Sequence, residues 1–145
     1  MELILWRHAD AEDGADDLAR RLTAKGEKQA AAMARWLRAN LPSQYTLLAS
    51  PAVRAQQTAA ALGVAIVTER SLAPGAAPAA IIQAASKHKG LVIVVGHQPD
   101  LGHAAAQLVA RRDSEWHIEK GALWWLTGDS PARIKAVLSP DLLQH

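Results

Sequence analysis

Two arginines and two histidines stand at or just beyond the ends of three short apolar runs. Residues 3–6 lead into Arg7-His8, Thr46–Ala49 into Ser50-Pro51 and then Arg54, and residues 91–95 into Gly96-His97. A guanidinium forks onto two oxygens of a phosphate or carboxylate. Imidazole, with an ordinary pKa of about 6.5, serves as nucleophile, base or acid near neutral pH. Four such groups in one place would make a compact cationic pocket, and the ligand it implies is phosphate. A single histidine after a strand is more often structural than catalytic; three independent strand ends supplying the same kind of group shift the weight toward function.

For groups so far apart in sequence to meet, their strands must be parallel neighbours ending at one edge of a sheet. β-like runs fall at residues 3–6, Thr46–Ala49, 65–67 and 91–95, with helical patterns between them. This βαβα alternation predicts an α/β fold with a mostly parallel central sheet and right-handed crossovers. Leu91, Val92, Ile93, Val94 and Val95 form a continuous apolar run, as a central strand covered on both faces requires. Ligands of such sheets bind beyond the carboxyl ends of the strands.

A first helix is predicted over residues 23–40, where Ala30, Met33, Ala34 and Leu37 recur at helical spacing behind Thr23 as N-cap, with Pro42 just beyond the end. Ser50 and Pro51 read as the N-cap and first residue of a second helix reaching Leu62 and stopped by Gly63. Residues 79–87 form a third, stopped by Gly90, and Pro99 opens a fourth that runs to about Arg111. Residues 122–126 and Arg133–Leu138 are further strands. Side chains on a helix lean toward its N-terminus, so Arg54 on the first turn reaches back toward the pocket. The helix starts after Ser50 and after Gln98 add N–H groups that favour an anion, and Gly96 admits close approach.

The 145 residues suit one domain, 1–145, with no linker or repeat inside it. Half the residues are apolar, and no apolar run approaches the roughly 20 residues of a membrane span, so a soluble chain is expected. Cysteine is absent, which excludes disulfides, a thiol nucleophile and thiolate metal sites. The start of the chain lacks the features of a secretory signal, so a cytoplasmic location is expected. A formal charge of +2, with no basic face, argues against nucleic acid.

The segments LWRHADAE (5–12), DLARRLTAKG (17–26), LLASPAVRAQQTA (47–59), VIVVGHQPDLG (92–102) and KGALWWL (120–126) together resemble the histidine phosphatase superfamily. Within it they are most similar to the small SixA-type phosphohistidine phosphatases. The resemblance implies a three-layer α/β/α, phosphoglycerate mutase-like fold. It also implies His8 as phosphate-accepting nucleophile, Arg7, Arg54 and His97 as the phosphate pocket, and a further donor from the main-chain N–H of Gln98. No metal and no cofactor are implied. Ala9 stands where the family pattern has glycine, and Asp17 and Arg20 match a D-x-x-R-x-L-T pattern expected to anchor the long connection over residues 10–22.

On this reading neutral His8 attacks phosphorus in line and forms a phosphohistidine that water hydrolyses. Arg7, Arg54 and a protonated His97 offset the charge on the phosphoryl oxygens. Larger members of the superfamily carry a glutamate after the third strand, in a Leu-x-Glu setting, to protonate the leaving group; here the stretch is Leu72-Ala73-Pro74. An imidazole departs with far less help than an alkoxide, so phosphohistidine on a partner protein, such as a histidine phosphotransfer domain, is the expected substrate. Asp10, Glu12 and Glu69 are the loop carboxyls from which an acid would have to come. Small phosphorylated metabolites are the alternative substrates, and a non-catalytic phosphate-binding module is the alternative of another class. Trp124 and Trp125 are expected to alternate across a strand, and His88, His103, His117 and His145 to be structural or surface residues.

Overall fold

Successive side chains of a strand point to opposite faces, and in β1 (Glu2–Arg7) both sets are apolar. Leu3 and Leu5 belong to one core and Ile4 and Trp6 to another, all four fully buried. Such a strand needs a helical layer on each side. In the computed structural model, which describes residues 1–143, α3 (Pro78–Ser86) and α4 (Asp100–Ala110) cover the first face. Their Ile81, Leu101 and Ala104 pack with Leu3, Leu5, Leu48 and Val94. Helices α1 (Ala24–Asn40) and α2 (Val53–Ala60) cover the second, where Met33, Leu37, Ala55 and Ala59 meet Ile4, Trp6, Ile93 and Val95. His145 and its neighbour Gln144 lie outside the described residues.

The other strands are β2 (Thr46–Ala49), β3 (Val67–Thr68), β4 (Leu91–Gly96), β5 (Leu123–Thr127) and β6 (Arg133–Leu138), and the sheet order is β3-β2-β4-β1-β5-β6. The first four are parallel, and β5 and β6 continue the sheet antiparallel. This is the expected three-layer arrangement. Arg7 lies level with Gly96 and Ala49 with Val95, so β1, β4 and β2 end together. After β1 the chain turns into the layer of α1, whereas after the adjacent β4 it turns into the opposite layer, through α4. Strands that diverge this way leave a crevice at their carboxyl ends.

Helix α1 begins as its sequence predicts, with Thr23 Oγ1 accepting from Gly26 N at 3.0 Å. Helix α2 does not. It starts at Val53, two residues later than the Ser50-Pro51 signal suggests, and its N-cap Ala52 makes no side-chain bond. Ser50 is still tied to the sheet, its N–H donating to Val95 O at 3.0 Å, so it extends the strand rather than opening the helix. Strand β3 is shorter than expected, and only Val67 and Thr68 pair with Leu48 and Ala49. Trp124 and Trp125 take opposite faces: Trp125 packs edge-on to Trp36 at 6.1 Å between ring centres, and Trp124 packs against Trp116 at 5.8 Å. No helix among the described residues is long and apolar enough to cross a membrane.

Candidate active site

Because β1 and β4 end in register, the residues after them are tied together by main-chain bonds. His8 N donates to Gly96 O at 3.0 Å, and Gly121 N donates to His8 O at 3.0 Å. The turn before β5 therefore holds His8 from the other side. His8 is buried, and its Nδ1 lies 2.7 Å from Ala9 O. A carbonyl only accepts, so Nδ1 carries the proton and Nε2 of the neutral ring keeps its lone pair. Burial, opposed by that bond and reinforced by the nearby Arg54 and Arg7, lowers the His8 pKa to about 4. At neutral pH the ring is uncharged and nucleophilic at Nε2.

Arg54 stands in the first turn of α2 and is buried. As its place predicts, it leans back into the crevice, with Nε 3.4 Å from His8 Nε2. Its outer nitrogens bond Asp17: Nη1 donates to the main-chain oxygen at 2.6 Å and Nη2 to Oδ2 at 3.2 Å. Arg7 anchors Nη1 on Ile118 O at 2.9 Å, while its Nε is buried without a protein partner.

His97 faces His8 with ring centres 5.3 Å apart. Its Nε2 pairs with Ser50 Oγ at 2.8 Å, and its Nδ1 is buried and unpartnered. Burial, then His8 and Arg54, push its pKa down to about 3. The expected protonated His97 is thus corrected for the free pocket: desolvation among cations keeps it neutral. Arg7 Nε, buried without a partner, and the Arg54 guanidinium offer donors that an oxyanion satisfies, and the orphaned His97 Nδ1 joins them when it carries a proton.

Gln98 is placed differently from the rest. Its side chain donates to Trp116 O at 2.6 Å and accepts from Gly102 N at 3.1 Å, fastening the segment before β5 to α4. Gly96 has a packing reason as well, since a Cβ there would lie 3.2 Å from the Leu101 side chain. Ala9 is fully buried, and its N–H donates to Thr58 Oγ1 at 3.0 Å. The described residues with positive φ other than glycine are Arg111 and Ser130, so Ala9 needs no glycine-like backbone and the departure from the family pattern is unstrained.

Two of the three loop carboxyls, Asp10 and Glu69, are committed elsewhere. Asp10 accepts from Thr23 Oγ1 at 2.7 Å and from Lys120 Nζ at 3.3 Å, and these bonds hold it below the usual carboxylate range. Glu69 faces Lys87 at 3.9 Å. Glu12 is exposed, and its main chain pairs with Arg20 and Arg21. The stretch that ends in Pro74 is pinned by buried Asp100, whose Oδ2 accepts from Gly75 N at 2.9 Å and Ala76 N at 3.0 Å. Beside Arg7 opens a cavity of about 670 Å³ that Lys25, Gln29, Glu119 and Lys120 also line.

Ser50 was legible only as a helix cap, since serine before proline gives that signal whether or not its hydroxyl serves a histidine. Thr58, a helical threonine, gave no signal at all. Asp17 and Arg20 do anchor their loop, as expected: Arg20 donates to Glu12 O at 2.7 Å and to Asp17 Oδ1 at 3.1 Å.

A mostly parallel sheet with arginine and histidine converging at its carboxyl edge is the arrangement of a phosphate-handling α/β protein. The chain belongs to the histidine phosphatase superfamily, whose branch 1 profile matches residues 3–74. It is 31% identical to the phosphohistidine phosphatase SixA of Escherichia coli over 120 residues, 74% of each chain. An uncharacterized protein of Mycobacterium tuberculosis is 37% identical over 112 residues, covering 72% of this chain and 70% of that one. The structure of a protein histidine phosphatase SixA complexed with tungstate superposes with a TM-score of 0.86 at 27% identity, over 99% of both chains.

Proposed function

We propose that this phosphatase removes the phosphoryl group from phosphohistidine in a partner protein, such as a histidine phosphotransfer domain, through a phospho-His8 intermediate. The observation that carries this reading is Pro74 at the place of the leaving-group acid, with Asp10 and Glu69 held by other partners. Pro74 stands where larger relatives have glutamate, Asp10 is held ionised by Thr23 and Lys120, and Glu69 is turned to Lys87. A leaving imidazole, protonated on its own at neutral pH, needs none; a leaving alkoxide does.

In the first step the Nε2 lone pair of His8 forms a bond to phosphorus while the P–N bond to the substrate imidazole breaks. The electron pair passes to the departing ring nitrogen. In the second, water attacks phosphorus, the P–Nε2 bond breaks, and inorganic phosphate leaves with the oxygen from water. Arg54 Nε, Arg7 Nε and the main-chain N–H of Gln98 donate to the equatorial oxygens. His97 takes up a proton as the dianion arrives and its pKa rises. The tungstate held by the related SixA, a tetrahedral oxyanion, is consistent with this pocket.

The test is a substrate panel. The parent protein should dephosphorylate a phosphohistidine-bearing protein far faster than sugar phosphates and should trap acid-labile phosphate that is missing from His8→Ala. Turnover confined to the sugar phosphates would sink the substrate assignment, and unchanged label on His8→Ala would sink the nucleophile.

A further inference from the structure

Asp17 lies on the short 3-10 turn Asp17–Ala19, with its side chain 54% exposed, yet it grips the guanidinium of Arg54, whose side chain is 5% exposed. A guanidinium has two usable edges, one across its terminal nitrogens and one along Nε and Nη2. Asp17 closes the first, with its main-chain oxygen on Nη1 at 2.6 Å and Oδ2 on Nη2 at 3.2 Å. The second edge is thereby turned inward, with Nε 3.4 Å from His8 Nε2. Arg20 fixes Asp17 in turn, bonding Oδ1 at 3.1 Å and Glu12 O at 2.7 Å. Arg20 and Arg54 together hold the Asp17 carboxyl below the usual carboxylate range, so it is an anion throughout the working pH range.

We infer that Asp17 is a positioning residue with two opposed effects on the phosphate pocket. It aims the inner edge of Arg54 at the phosphoryl oxygens, and its charge weakens ground-state binding of phosphate. The first effect acts on geometry, where a small misplacement of a transition-state donor is costly. The second is Coulombic repulsion between Asp17 and an anion that shares its arginine. Together they keep the enzyme from being held by its product while preserving turnover. The inference rests on Arg54 belonging to the phosphate pocket, and not on which phosphorylated compound is the substrate.

The experiment measures two quantities on Asp17→Ala, Asp17→Asn and the control Asp16→Asn. One is the Kd of inorganic phosphate by calorimetry, and the other is kcat on phosphoramidate or p-nitrophenyl phosphate, whichever the parent turns over faster. Asp17→Ala should bind phosphate about fivefold more tightly and lose turnover by about 10- to 100-fold. Asp17→Asn, which keeps an oxygen for Nη2 but no charge, should share the tighter binding and recover turnover relative to Asp17→Ala. Asp16→Asn removes the same charge from the same loop without touching Arg54, and should move neither. Binding and turnover falling in parallel, or either quantity unmoved in Asp17→Ala, overturns the role of Asp17 alone. A parent protein that binds no phosphate overturns the pocket with it.

Discussion

Arg54 Nε sits 3.4 Å from the unprotonated Nε2 of His8, so the lone pair of the proposed nucleophile faces a permanently charged donor. That contact, with burial, opposes protonation of the ring. It also places the cation where a phosphoryl oxygen bound to His8 would need it, so one residue keeps the base free and then receives the charge it creates.

The depressed histidines make stability depend on pH with a definite sign. His8 titrates at about 4 and His97 at about 3 in the folded protein, against 6.5 for the ordinary group. Below pH 6.5 the unfolded chain binds protons that the folded one refuses, so stability present at pH 7 is lost as pH falls toward 4. Each histidine contributes a slope of about 1.4 kcal/mol per pH unit well inside that window. Urea unfolding of the parent and of His97→Gln between pH 7 and pH 4.5 reads it, and the variant should show the smaller slope.

Ser50→Ala removes the hydroxyl that takes His97 Nε2 at 2.8 Å and Ala52 N at 3.1 Å. Since Ser50 is fully buried, the lost bonds should cost about 1–3 kcal/mol of stability. The freed imidazole should lower turnover by roughly tenfold or more through loss of orientation. Unchanged steady-state kinetics in a folded Ser50→Ala protein would show that His97 is oriented by other means.

Ala9→Gly restores the glycine of the family pattern, and it should destabilise. Ala9 is fully buried against Leu22 and Ala30 and does not have a positive φ. Glycine adds backbone entropy to the unfolded chain and deletes a packed methyl, a loss of about 1–2 kcal/mol. Thermal unfolding should fall by about 3–8 °C for a chain of this size. A rise in Tm would mean that the position needs glycine after all.

Much of this site is visible in the chain as written, because its key parts depend on local patterns. An apolar run followed by Arg7-His8, and another followed by Gly96-His97, needs only strand alternation and parallel pairing to bring three of the four groups together. Helix α1 follows likewise from Thr23 and the spacing of Met33 and Leu37. What was not legible depends on tertiary partners. Ser50 carries a local capping signal that the sheet and His97 override. Asp17 is legible as a loop anchor, but its grip on Arg54 exists only once folding brings the two together. The neutrality of His97 comes from burial beside His8 and Arg54, which no spacing reveals. The two-residue length of β3 reflects its edge position, where only Leu48 and Ala49 offer partners.

The placement of β1 between β4 and β5 ranks the site's parts by how readily they open. The amide of His8 is bonded to Gly96 where the central strands β1 and β4 end, and His8 is buried there, so its exchange with solvent requires a large opening of the sheet. The turn carrying Asp17 is held mainly by exposed polar contacts and can exchange through local fluctuations. His8, the proposed nucleophile, is therefore mounted on one of the last regions to come apart, and the outer grip on Arg54 on one of the first.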